Sequence, residues 1–228
     1  MRKILLSAAV VATLSSSVYG FGFGGMPSIG ASKDAAASLT AGDVDAVFLA
    51  VKNAEYFLGE SSSKIVAVLG GSEAKAKLEA ELKSAEAIKD PKEKDAKIAK
   101  AKQDAVAQTI KDSESKEGKE KLKNLGDAQK KEVGSAIGNF ALAGLLDAIA
   151  VKMGSDVVSR ASKDPMGAAV KFASKLPLIK DIVATLPQQA TDIAKMSENL
   201  VKIAKSGNIP VAMPDDKKVQ EASKAARD

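Results

Sequence analysis

The chain contains no histidine and no cysteine, which leaves few chemistries open to it. Ser-His-Asp triads, imidazole or thiolate metal sites, disulfides and cysteine nucleophiles are all excluded. Carboxylates, lysines, serines and two tyrosines remain. Ser-x-x-Lys occurs at Ser61/Lys64, Ser72/Lys75 and Ser113/Lys116. On a helix that spacing brings a hydroxyl near an amine, as a serine–lysine hydrolase needs. The companion motifs of such enzymes are absent, and a chain this rich in Ser and Lys produces these pairs by chance. The acids Asp43, Asp45 and Glu55, and then Glu79, Glu81 and Glu86, belong to helical segments. None forms an Asp-rich calcium loop. A paired-carboxylate metal bundle normally adds Glu-x-x-His, which cannot be built here. Gly22-x-Gly24 does not follow a strand and is no phosphate loop. The expectation is a protein that is not an enzyme, with no catalytic residue, no metal and no cofactor.

Asn139 and Asp147 are the polar positions of greatest interest. They are the only strongly polar residues of an otherwise apolar stretch, Ala136 to Val151, and lie two turns apart on a similar face. In a soluble bundle they point at a partner helix or the surface; in a membrane-inserting hairpin they line a polar seam. With Phe140 and Phe172 they form the candidate membrane or partner face. Gly134-x-x-x-Gly138 permits close helix approach in either setting.

The elements that must position these residues are helices. Aromatics are scarce and tryptophan is absent, so a core has to come from Ala, Leu, Ile and Val. That composition suits an alanine-rich all-α bundle. A first helix is expected over about 43–69, with Val44, Phe48, Val51, Leu58, Ile65 and Leu69 on one face and Gly70-Gly71 as its stop. A second runs from Ser72 to about Lys89. Asp90-Pro91-Lys92-Glu93 starts a third, with Asp as N-cap and Pro at the first helical position. From Glu73 to Glu132 the chain holds 16 Lys against 14 acids and no aromatic. This stretch (about 72–132) reads as a charged helical hairpin or arm projecting from the bundle, held by thin coiled-coil-like seams. Residues 112–118 read as a loop within it.

A buried helix follows from about Asp127 to Ser162, with Gly154-Ser155 as a possible kink. Asp164-Pro165 repeats the start signal. The next helix offers Val170, Phe172, Leu176, Ile179, Val183 and Leu186 as core candidates, and Pro177 and Pro187 are expected to break or bend it. A last amphipathic helix spans about 188–205. The bundle thus covers 41–206, and residues 207–228 are expected to be a loose tail.

Residues 1–20 have the layout of a cleaved secretory signal peptide. Arg2 and Lys3 precede an apolar run from Ile4 to Leu14, and Val18-Tyr19-Gly20 forms a small-residue exit before Phe21. Residues 21–40 then form a Gly/Phe leader. The apolar run is too short to span a bilayer, and without cysteine the product is not a lipoprotein. The formal charge of +5 falls to +3 once Arg2 and Lys3 are removed. Its acids nearly cancel its lysines, so nucleic acid is not an expected partner. The signal ending in Gly20 before Phe-Gly, together with the stretch Asn199-Leu200-Val201-Lys202-Ile203-Ala204-Lys205-Ser206-Gly207-Asn208-Ile209-Pro210-Val211, resembles a group of uncharacterised exported all-helical proteins of Gram-negative bacteria. The resemblance covers under a fifth of the chain. It implies secretion and a helical fold, and brings no activity and no functional residues. The reading is an exported, periplasmic or outer-envelope protein acting through protein–protein or envelope association. Membrane association is the alternative, and homo-oligomerisation is compatible with either.

Overall fold

The computed structural model describes residues 38–225, and every regular element among them is helical. Residues 1–20, where a signal peptide is expected, and residues 21–37 of the expected leader lie outside the described residues. The chain is an all-α bundle.

Helix α1 spans Ala41–Ile65. Thr40 caps it through a reciprocal capping box: the Asp43 amide donates to Thr40 Oγ1 (3.2 Å) and the Thr40 amide to Asp43 Oδ2 (2.9 Å). Near its end the Ser61 hydroxyl donates back to the Phe57 carbonyl, and the helix then widens into a π turn over Val66–Gly70. Gly71 takes φ 82°, a conformation that favours glycine, and redirects the chain into α2, Gly71–Glu86. Helix α3, Pro91–Glu114, starts as its sequence predicts: Asp90 Oδ1 accepts from the Glu93 amide (2.9 Å) and Pro91 opens the first turn.

The expected loop at 112–118 contracts to a single residue. Ser115 closes α3 by donating to the Asp112 carbonyl (2.7 Å) and caps α4, Lys116–Lys123, by accepting from the Gly118 amide (3.0 Å). Helix α5 runs unbroken over Asp127–Lys163, past Gly154. A short α6, Pro165–Phe172, is capped by Asp164, whose Oδ1 accepts from the Gly167 amide (3.0 Å). Helix α7, Leu176–Ser206, contains Pro187, where a break or bend was expected. Buried Leu186, Ala190 and Ile193 hold both sides of the proline against the bundle, so packing outweighs the missing amide hydrogen bond. Helix α8, Asp216–Lys224, completes the described chain.

The centre of the bundle is α5, flanked by α1 and α7. Its Val133, Ile137, Phe140, Leu142 and Leu146 are sealed inside, together with Ile65 and Val66 of the first helical unit and Ile193 and Leu200 of α7. A smaller core at one end joins Val44, Val47, Val157, Phe172 and Ile179.

Two expectations are corrected. The charged arm does not project as a separate unit. Leu78, Ala101, Val106, Ile110 and Leu122 are buried in the same core as Phe140. Its narrow apolar seam is enough to lay α2, α3 and α4 onto the bundle and leave most of their described lysines and acids in solvent. The tail is not loose either: Ile209, Pro214, Val219 and Ala222 are buried, and α8 packs on α1 and α5.

Candidate functional site

Two places in this fold hold side chains that burial and packing alone do not explain. The first is a set of polar side chains where α1, α3, α5 and α7 pack together. Asp147 lies midway along α5 and is 1% exposed. Gln189 Nε2 of α7 donates to its Oδ2 (3.0 Å), while Oδ1 has no hydrogen-bond partner among the described residues. Burial in this apolar setting pushes the carboxyl up to about 7; the Gln189 hydrogen bond opposes the rise and the Glu55 charge adds to it. At neutral pH the group therefore divides between its protonated and charged forms.

Glu55 of α1 keeps solvent contact, yet the surrounding protein raises its own carboxyl, reinforced by Asp95 and opposed by Lys102. Burial lowers the Lys102 ammonium of α3, against the pull of Glu55. These residues form a polar gradient from solvent to the buried acid. Sequence reasoning found Asp147 from its place in an apolar run. It missed Gln189, Glu55 and Lys102, which only the packing of three other helices brings near.

The remaining members of the predicted face do not share a surface. Phe140 is fully buried in the main core, and Phe172 belongs to the smaller core at the far end. Asn139 is half-buried and accepts from Lys218 Nζ of α8 (3.2 Å). Gly134 and Gly138 receive no helix. A Cβ at either would overlap the carbonyl oxygen of Pro210 or Ala212, so they are small to let the extended segment 209–214 lie against α5.

Asn53 of α1, also fully buried, clamps the same segment's continuation: its Nδ2 donates to the carbonyls of Ala222 (2.7 Å) and Ala225 (2.9 Å). Of the expected membrane or partner face, only Asn139 meets the chain's own C-terminal strap, which Gly134 and Gly138 seat. The Ser-x-x-Lys pairs do not assemble a nucleophile. Ser61 and Ser113 donate to backbone carbonyls one turn back, while Lys64 and Lys75 pair with Glu60 (3.1 Å) and Glu79 (3.7 Å).

The second place is the corner where α5 turns through α6 into α7. Ala168 and Phe172 anchor α6 inward. Met166 and Val170, one turn apart on the opposite face, stand 82% and 84% exposed, and Leu178 at the start of α7 is also exposed. Val170, a core candidate by sequence, is therefore on the outside: the α6 stripe that faces inward is the one through 168 and 172. Lys163, Lys171 and Lys180 stand around this corner in solvent. Ionic links to α1 add to the apolar ones of the smaller core. Lys175 Nζ reaches Asp45 Oδ1 (2.6 Å), and Arg160 joins Asp43 (3.1 Å) and Asp156 (2.9 Å). Partial burial raises the Asp43 carboxyl, but hydrogen bonds from Arg160 and Thr40 outweigh it and leave the group below its ordinary value. Beside the Lys175–Asp45 pair, Ala46, Phe48 and Leu49 line an open apolar hollow of about 520 Å³.

Compared with known proteins, the chain matches no family model, and no curated protein or solved structure is significantly similar to it.

Proposed function

We propose that this chain is an exported, non-enzymatic helical protein of the cell envelope that works by association with a protein partner or an envelope surface. The observation that carries this reading is the distribution of apolar side chains. The bundle encloses most of the apolar length of α5, whereas Met166, Val170 and Leu178 gather in solvent at one corner, with Tyr56 of α1 the other large exposed side chain of this kind among the described residues. Large apolar groups in solvent gain from being covered, at about 25 cal/mol per Å² buried. Export rests on the arrangement of residues 1–20, and the location it implies is periplasmic or outer-envelope.

Expression in a Gram-negative host, followed by fractionation and N-terminal sequencing, tests the address. A periplasmic product beginning at Phe21 supports it; a cytosolic product retaining residues 1–20 refutes it. A photo-crosslinking residue at Leu178 tests the mode of action. Adducts at that position support association through the corner, and their absence in the native host argues against it.

One observation favours the membrane alternative. Helix α5 is long and apolar enough to cross a bilayer, although 78% of that apolar window is buried within the bundle. Insertion would require the bundle to open. Flotation with liposomes that persists at high salt would support this alternative.

A further inference from the structure

We propose that the α6 corner is an anchor for an anionic lipid surface: Met166 and Val170 enter the headgroup–acyl boundary while Lys163, Lys171 and Lys180 meet lipid phosphates. The inference rests on the association reading above and names the partner of that same corner. Three features single out a charged bilayer.

First, the apolar side chains stand out almost completely, 82% and 84% exposed, on a convex helix rather than in a groove. A convex pair of apolar tips suits a soft boundary that admits them.

Second, cations outnumber acids among the exposed charges around them. Lys163, Lys171 and Lys180 are exposed. Exposed Asp164, which accepts from the Gly167 amide, and exposed Asp181 stand among them, so three lysines against two carboxylates leave the corner net positive. Lysines beside a negatively charged surface gain about 1 kcal/mol each, which is about fivefold in partitioning.

Third, the corner is held in place from behind. Phe172 and Ala168 fix α6 to the smaller core, and the Lys175–Asp45 and Arg160–Asp43 pairs tie it to α1. The apolar tips are therefore presented on a fixed support, and binding requires no ordering of the helix.

The absence of cysteine allows a single reporter. Ala169→Cys in the full chain places an environment-sensitive dye on an exposed α6 position between the two anchors, leaving both in place. Lys83→Cys puts the same dye on α2 as a control for binding through other parts of the chain. Vesicles of phosphatidylcholine alone are compared with vesicles containing phosphatidylglycerol. The expected result is a blue shift at 169 and not at 83, with anionic vesicles only, and weakened by salt. Met166→Ser with Val170→Ser should lower partitioning about tenfold or more, and Lys171→Gln with Lys180→Gln by more than about tenfold.

Equal shifts with both vesicle types, or a shift that survives the serine pair, would overturn the proposal. So would a silent dye at 169. In that last case, a shift that grows with protein concentration in the absence of lipid would assign the corner to a second copy and leave the association reading standing. Silence under both conditions would remove association at this corner as well. Circular dichroism of each variant shows whether the bundle remains folded.

Discussion

Replacing Asp147 by Asn should make the protein more stable at neutral and alkaline pH and leave it unchanged in acid. The folded carboxyl titrates at about 7, against 3.8 for the free side chain. Between those values the unfolded chain has released its proton and the folded chain has not. Stability therefore falls as pH rises from about 4 to about 7 and levels off above. Each pKa unit is worth about 1.4 kcal/mol, so the three-unit gap amounts to about 4 kcal/mol. Asn keeps an oxygen for the Gln189 amide and carries no charge, so it mimics the protonated acid and escapes this loss. Glu55, also raised, weakens the fold in the same direction, but it is present in both proteins. Urea unfolding followed by circular dichroism, at several pH values, reads the difference. The two proteins should agree near pH ~4 and diverge by up to about 4 kcal/mol above pH ~7. Parallel pH–stability curves would refute the reasoning, because they would mean that Asp147 reaches water or a cation in the folded state.

Other substitutions test the strap, the arm and the ionic corner. Asn53→Ala strands the carbonyls of Ala222 and Ala225 and should cost about 1–3 kcal/mol, with amide-exchange protection lost first across 216–224. Gly138→Val collides with the Ala212 carbonyl and should cost a similar ~1–3 kcal/mol, with early proteolysis near 209–214 as the readout. Leu78→Ala in α2 should destabilise the whole bundle by about 2–5 kcal/mol in one transition, because Leu78 shares the core of Phe140; a separate arm transition would contradict the packing described. Arg160→Gln should move the Asp43 carboxyl upward. The stability Asp43 now contributes above its ordinary value, and loses as pH falls through its depressed one, should shrink; carbon NMR of the carboxyl checks this.

Local signals in the sequence were enough to place most helices. Asp90-Pro91 and Asp164-Pro165 announce α3 and α6 because capping is a contact within one turn. The alternation of apolar residues likewise identifies the buried face of α1. What the sequence hides is which seams meet. The stripe of α3 is thin, and nothing local says that Val106 and Ile110 dock on the main core. Helix α8 offers mainly Val219 and Ala222 for burial and reads as solvated. Burial of those two in the main core is joined by a hydrogen bond from Asn53, which is 169 residues from Ala222 in the chain. The Pro187 rule failed for the same reason, since burial on both sides of a proline is a tertiary fact. Asp147 was visible as an acid in an apolar run, but its raised titration comes first from burial by the helices packed around it, with Gln189 opposing the rise and Glu55 adding to it.

The seating of residues 209–225 across α1 and α5 also bears on the order in which the protein can fold. This segment is synthesised after every helix it fastens. Until it emerges, the groove over Gly134 and Gly138 lies open and the buried Asn53 amide lacks its two carbonyls. A growing chain therefore cannot reach its final state early. It must remain partly assembled, and open to chaperones or to passage as an unfolded thread, until the strap arrives to lock it.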